Sequence, residues 1–258
     1  MLEKIGNSTL NFLNIYYEAL YFTYECILKI FNKKSYNSAT KDILIKQIYF
    51  TSVQLLPLLI FVGVVFGVII IATIVTLALD YGLKDHIGSL IVNIVIIEFA
   101  PLATVLLIAL RSSAAISTEI SVMKSSNELN TLKAFNINLI EYLFLPRIIA
   151  GIISLILLAS MISLIMILSG YIYLLLFLET GLDLYIRTLI HALTIDSFII
   201  FFIKTFLFGF FVILIPIYSA IESKGSISGI PIAVLNAMVK VILAIMSIEV
   251  ISLIIQYL

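Results

Sequence analysis

The stretch that decides the fold is Ile96–Ile120, IIEFAPLATVLLIALRSSAAISTEI, where an apolar run passes into a polar one. The carboxylate of Glu98 lies inside the apolar part, and Arg111 closes that part. An ionised carboxylate in a membrane costs at least about 2.5–3.5 kcal/mol unless it is paired or solvated. Glu98 is therefore a candidate functional residue, with the structural alternative of a hydrogen-bonded pin between helices.

Two features of the surrounding sequence bear on Glu98. Pro101 lacks the N–H that would bond to the carbonyl of Ile97, so the helix is expected to loosen beside the carboxylate. Lys204 and Glu249 also lie in apolar runs, and they are the partners expected for Glu98.

The composition indicates an integral membrane protein. Hydrophobic residues make up 62% of the 258 residues and charged residues 12%, whereas a soluble domain has about 45–50% and about 25%. The net charge of zero favours no nucleic-acid partner. With a single cysteine, Cys26, and two distant histidines, the chain predicts neither an internal disulfide nor a metal site.

Charge-free runs long enough to cross a bilayer predict an all-α fold with five transmembrane helices. The predicted crossings are 55–79, 88–110, 147–178, 194–221 and 234–257. Twelve of the 15 Lys and Arg residues fall on one side of this arrangement, which places the N-terminus in the cytoplasm and the C-terminus outside. The outward connections, Asp80–Ile87 and Glu179–Ile190, are expected to be short loops.

Residues 1–46 predict an N-terminal amphipathic region rather than a sixth crossing. Its apolar and tyrosine side chains recur at spacings of three and four: Leu13, Tyr17, Leu20, Tyr21, Tyr24, Ile27, Leu28 and Phe31. Such a helix is typical of the membrane surface, where the rings are buried and the hydroxyls stay hydrated. The alternative is an ordinary soluble helix packed on a partner.

The largest polar segment, Arg111–Leu145, is predicted to form short cytoplasmic helices between the second and third crossings. We expect it to contact a partner, because about 35 residues are long for a mere connector. No P-loop motif occurs in the sequence, so any ATP-driven work requires a separate subunit. In the first crossing, Gly63 and Gly67 permit the close approach of another helix, including a second copy.

Four stretches resemble the MlaE-like (YrbE) permease family, the membrane subunits of bacterial ABC transporters that move phospholipids or related lipids. They are KQIYFTSVQLLPLLIFVGVVFGVII, EFAPLATVLLIALRSSAAISTEISVMKSSNELNTLKAF, LPRIIAGIISL and GIPIAVLNAMVKVILAIMSIEVISLI, in family order over residues 46–254. The resemblance makes residues 47–258 a permease domain of the bacterial inner membrane. It implies a homodimer, two cytoplasmic ATPase subunits that use the ATP, and a periplasmic MCE-domain carrier; the chain itself is expected to bind no cofactor.

The resemblance also implies the site residues. Lipid binding and translocation are expected at Val64, Gly67, Ile97, Glu98 and Glu249. Contact with the ATPase is expected at Arg111, Ser117, Glu119, Met123, Glu128 and Leu129. Many relatives carry a basic residue where this chain has Ile97, so a head-group cation partner for Glu98 is missing at that place.

Two other functions remain open at this point. An ion-coupled secondary transporter would use Glu98, Lys204, Glu249 and Asp196 as a relay, although no inverted repeat is visible. A membrane-embedded scaffold without transport would also fit the long polar segment.

Overall fold

The computed structural model describes residues 17–30, 38–178, 182–223 and 225–257, and in these residues it contains helices and no strands. Five helices are long and apolar enough to cross a membrane. We name them the first to fifth spans: Lys41–Asp80, Lys84–Ser125, Ile140–Leu176, Ile195–Glu222 and Ile227–Gln256. The predicted all-α class with five crossings is confirmed.

The elements in chain order are α1 (17–30), α2 (Ser38–Thr51), α3 (Leu56–Asp80), α4 (Ile87–Ile91), α5 (Ala100–Ile108), α6 (Ala114–Ser125), α7 (Glu128–Ala134), α8 (Leu145–Leu178), α9 (Leu182–Ala192), α10 (Ile195–Glu222) and α11 (Ile230–Tyr257). Three π-helical segments, Val92–Phe99, Ala109–Ser113 and Ile140–Phe144, lie between or before these helices. Short 3₁₀ turns precede α3, α4 and α11.

Helix α8 lies at the centre of the bundle, where α2, α3, α5 and α10 all pack against it. The contact with α3 is close because α3 presents glycine there. A Cβ on Gly67 would lie 2.6 Å from Cα of Met166, and one on Gly63 would lie 2.9 Å from Ile165. The two glycines thus serve packing within one chain. Their face of α3 is occupied by α8, not by a second copy of the chain.

The second span continues as one helix well beyond the predicted end at residue 110. α5, the π-helical Ala109–Ser113 and α6 follow one another without a break up to Ser125. The Ser and Thr side chains in α6 do not stop it, because hydroxyls such as that of Thr118 bond back to the preceding turn (Ala114 carbonyl, 2.9 Å). Asn127, with φ 64°, ends the helical path and starts α7.

The prediction of short helices throughout Arg111–Leu145 is therefore wrong for its first part. Only α7 is a short separate helix, and the third span already begins at Ile140. The second outward connection also differs from the predicted loop, since most of it folds into α9, which packs on α4.

Helix α1 packs against the same end of the bundle as α7. The ring of Phe22 lies 5.9 Å from that of Phe144 and 5.7 Å from that of Tyr218, and Lys29 forms an ion pair with Glu141. The opposite face exposes Tyr17, Leu20, Tyr21, Tyr24 and Leu28. A helix is present here; Leu13 and Phe31 of the predicted pattern lie outside the described residues, and its amphipathic role at a membrane surface stays a prediction.

Candidate functional site

Three ionisable side chains from three spans meet inside the bundle, and we call them the ionic cluster. Lys204 of α10 lies with its Nζ 2.5 Å from Oε2 of Glu98 and 2.9 Å from Oε2 of Glu249. The Lys204 side chain is 1% exposed, that of Glu249 12% and that of Glu98 19%. The expected partnership of these residues is thus present, with lysine as the centre.

The cluster holds two carboxylates against one ammonium. Such an arrangement in an apolar setting survives because each charge has an opposite partner at hydrogen-bond distance, which offsets the loss of water. Oε1 of Glu98 is buried and has no hydrogen-bond partner among the described residues. One carboxylate oxygen beside the lysine therefore retains acceptor capacity that the protein does not use.

The helix around Glu98 is wound more loosely than an α-helix. Residues Val92–Phe99 are π-helical, and the N–H of Ala100 bonds to the carbonyl of Val95. This segment ends two residues before Pro101, which cannot donate a backbone hydrogen bond. π-helical turns occur frequently at functional sites, and this one places Glu98 toward α10 and α11.

The predicted lipid-contact residues do not share one surface. Val64 is 44% exposed, whereas Ile97 is buried and Gly67 is packed against α8. The positions of Gly67 and Ile97 indicate packing within the chain. Of Val64, Gly67 and Ile97, Val64 alone lies on an outer face.

A small cavity of about 130 Å³ lies between α10 and α11 beside Lys204. Its other lining side chains are those of Ser252 and of isoleucine and leucine residues. Ligand pockets are typically about 300–1,000 Å³, so this space within a single chain is too small for a lipid.

Lys204 was expected as a partner of Glu98 but was not among the residues expected to contact lipid. Its signal was present as a lone lysine within an apolar run, but the run alone did not tell which acid it faces. Asp196, proposed with it as part of a relay, lies at the exposed start of α10, eight residues before Lys204. At 1.5 Å per residue the two are about 12 Å apart along the helix, so Asp196 does not belong to the cluster.

The residues predicted to contact an ATPase divide into an exposed and a buried group. Arg111, Glu119 and Glu128 are exposed, Met123 is half-buried, and Ser117 and Leu129 are buried. Because of their burial, Ser117 and Leu129 hold α6 and α7 in place and are not available as contact surface.

Two basic side chains attach α6 to neighbouring helices. Arg147, at the start of α8, is 3% exposed and donates from Nη2 to Glu119 at 2.7 Å. Lys124, near the end of α6, donates from Nζ to the carbonyls of Ile221 and Ser223 at the end of α10. A cation at a helix C-terminus satisfies carbonyls that have no partner in the helix. α6 is thereby fixed to α10, which also carries Lys204.

No group of three or more His, Cys, Asp or Glu side chains suited to a metal ion occurs in the part of the chain that the structure describes.

Comparison with known proteins gives one family and several relatives. A family model described as "Permease MlaE" matches residues 44–255. The "Probable ABC transporter permease protein" of Rickettsia felis is 24% identical over 92% of this chain and 90% of its own length. The "Intermembrane phospholipid transport system permease protein MlaE" of Haemophilus influenzae is 28% identical over 43% of either chain.

Proposed function

The chain belongs to the MlaE permease family and is a permease subunit of an ABC transporter in the inner membrane; from this premise we propose that it moves phospholipid to or from a periplasmic MCE carrier. The H. influenzae relative, whose name specifies phospholipid transport, supports the substrate class. The observation that carries the proposal is the ionic cluster, because it provides charges of both signs inside an otherwise apolar bundle.

A phospholipid head group matches the chemistry of the cluster. Its phosphate is an anion that an ammonium binds through charge-assisted hydrogen bonds, and its amine, where present, is a cation for a carboxylate. Glu98 is the more exposed of the two acids, and its Oε1 has no bond to replace. On this proposal the head group binds beside Glu98 while Lys204 stays paired with Glu249.

The acyl chains need more space than one chain offers. The cavity beside Lys204 has a volume of about 130 Å³, and only 17% of the most apolar stretch of the fifth span is buried. We propose that two copies associate along this span and enclose the lipid between them. Val64 on the exposed face of α3 is the other residue proposed to contact lipid.

The energy is proposed to come from ATP hydrolysed by a separate cytoplasmic ATPase, with no cofactor bound by this chain. The exposed side chains of Glu119 and Glu128 form the proposed contact surface for it. Movement of α6 would be transmitted to α10 through Lys124, and thereby to Lys204. The MCE carrier is proposed to bind at the opposite end.

Reconstitution of the complex tests this proposal. We expect ATP-dependent phospholipid transfer between donor and acceptor vesicles to fall strongly in Glu98→Gln, because the head-group contact loses its charge. Glu222→Gln is the matched control, since Glu222 is an exposed acid at the end of α10. Transfer by Glu98→Gln at the control's rate would show that the carboxylate is a structural pin only.

The ion-coupled alternative rests on the same cluster, which contains two acids beside a lysine. It requires transport by the purified chain without an ATPase, driven by an imposed ion gradient. Transport under those conditions would overturn the ABC mechanism, while dependence on the ATPase would exclude the relay.

A further inference from the structure

A second cavity, far from the ionic cluster, lies between α1, α7 and the end of α10. Its volume is about 560 Å³, and its walls include Phe22 of α1, Leu129 of α7 and Ile221 of α10. Ile221 follows Lys204 by 17 residues on α10, which is about 25 Å along the helix. This cavity, which we call the α1–α7 cavity, is therefore separate from the proposed transport site.

The α1–α7 cavity lies at the ends of three spans. Lys124, Ile140 and Ile221 line it. Each of them is within one residue of the end of a span, namely Ser125 of the second, Ile140 of the third and Glu222 of the fourth. The cavity is thus on the side that the basic residues predict to be cytoplasmic, and one of its walls is α1, the helix predicted to lie along the membrane surface.

The lining has the chemistry of a site for an anionic amphiphile. Its charged members are Lys124 and Lys133, its amides are Asn130 and Asn138, and no acidic side chain is among the described lining residues. Lys133 is exposed and has no ion-pair or hydrogen-bond partner in the described part of the chain. Two other cavities differ, since each is lined by an acid as well as a base: Glu119 and Arg111 line one, and Glu222 and Lys240 line the other.

We propose that the α1–α7 cavity binds an acidic phospholipid of the adjoining leaflet as a resident ligand that is not transported. The phosphate contacts Lys133 and Asn130, and an acyl chain lies on the apolar wall formed by the half-buried Ile137, Leu139 and Ile140. The lipid would join α1 to α7, because Phe22 of α1 and Lys133 of α7 both line the cavity. This proposal does not depend on the substrate or the energy source of the transporter.

Lysine acetylation in lipid nanodiscs tests the proposal on the purified full chain. Lys133 is compared with Lys46, an exposed lysine of α2 outside the cavity, so that the reference side chain experiences the same reagent and membrane surface. We expect Lys133 to be modified severalfold more slowly relative to Lys46 in phosphatidylglycerol than in phosphatidylcholine. An unchanged ratio would overturn the proposal.

Two further measurements identify the source of the phosphate and the residue. Inorganic phosphate added to phosphatidylcholine discs should leave the ratio unchanged; protection by free phosphate equal to that by phosphatidylglycerol would show an anion site without lipid. Lys133→Gln should weaken retention of phosphatidylglycerol in native mass spectrometry about tenfold, the usual effect of one charge-assisted hydrogen bond. Lys46→Gln should retain it, and equal retention by both variants would refute the assignment.

Discussion

Replacing Lys204 with methionine removes the only cation of the ionic cluster among the described residues while keeping an unbranched side chain. Glu98 and Glu249 would then share a buried site without a partner, since the two ion pairs at 2.5 and 2.9 Å both end on this lysine. Removing one member of a buried ion pair destabilises a protein by about 3–5 kcal/mol. We expect Lys204→Met to lower the free energy of unfolding by that amount.

Removing either acid has a smaller expected effect. Glu98→Gln and Glu249→Gln each leave the lysine with one carboxylate. For Glu98, which accepts a hydrogen bond from Lys204, the loss is about 1.5–3 kcal/mol; for Glu249, whose contact with Lys204 is an ion pair without a hydrogen bond, it should be smaller. Relief of the repulsion between the two acids offsets part of it. The double variant leaves the ammonium of Lys204 without a carboxylate partner. Its loss of unfolding free energy should therefore exceed the sum of the two single losses.

Unfolding in mixed detergent micelles, followed by far-ultraviolet circular dichroism, measures this series, because the chain has no tryptophan to serve as a fluorescent probe. Lys240→Met is the control. Its ion pair with Glu222 spans 3.5 Å with side chains 49% and 37% exposed, and an exposed pair contributes at most about 1 kcal/mol. If Lys204→Met destabilises no more than Lys240→Met, or no more than Glu98→Gln, the two-acid, one-base reading of the cluster is wrong.

Three other predictions concern packing and protonation. Gly67→Ala should lower the free energy of unfolding by about 1–3 kcal/mol, since the new Cβ would lie 2.6 Å from Cα of Met166. The control Val64→Ala, on the exposed side of the same helix, should change the free energy of unfolding little. Equal effects of the two substitutions would contradict the packing of α3 on α8. Burial raises the pKa of Cys26 from 9.0 to about 12, so the thiolate is about a thousandfold scarcer at pH 8 than in a free thiol. Iodoacetamide should label Cys26 slowly in the folded protein and quickly in denaturant, and fast labelling of the folded protein would contradict the packing of α1. Burial also raises the pKa of Tyr185, whose hydroxyl donates to a carbonyl of α8 at 3.1 Å. The unfolded state then loses this proton first, so the free energy of unfolding should fall as the pH rises above about 10. Denaturation curves at several pH values should show a smaller fall for Tyr185→Phe. An identical dependence of the free energy of unfolding on pH in both proteins would refute the burial of Tyr185.

Four of the five spans were predictable because apolar length is a local property of the sequence. The run predicted at 147–178 became α8, Leu145–Leu178, and the one at 194–221 became α10, Ile195–Glu222. α3 and α11 also lie within a few residues of the predictions. The fifth helix begins at Ile230, four residues before the predicted start, since Pro231 is well accommodated in the first turn of a helix.

The second span was misjudged because polarity was taken as the end of a helix. Ser112, Ser113 and Ser117 are buried against other helices, and the hydroxyl of Ser113 donates to the carbonyl of Val212 at 2.6 Å. The polarity therefore reflects tertiary contacts of a helix that continues. Helix α9 was missed although its apolar residues recur at helical spacing, because the connection was judged by its shortness alone.

The site was predictable in its members but not in its arrangement. An acid or base within an apolar run is easily recognised in a sequence, and Glu98, Lys204 and Glu249 were all recognised in this way. Lys204 can pair with both acids only because three helices place these side chains at the same depth and turn them toward one another. No single apolar run specifies that arrangement. The partner of the Gly63–Gly67 face was equally unspecified, because a small-residue face accepts a helix from the same chain or from another.

The unbroken second span carries the acid of each of two distant ion pairs, so the winding of this one helix determines how the two acids are oriented relative to each other. Glu98 meets Lys204, and 21 residues later on the same helix Glu119 meets Arg147. The π-helical Ala109–Ser113 lies between them and sets the angular offset of the two carboxylates. Deleting one residue there would turn one acid by about 100° relative to the other, so a shorter helix would keep every side chain of both pairs and still lose one of the pairs.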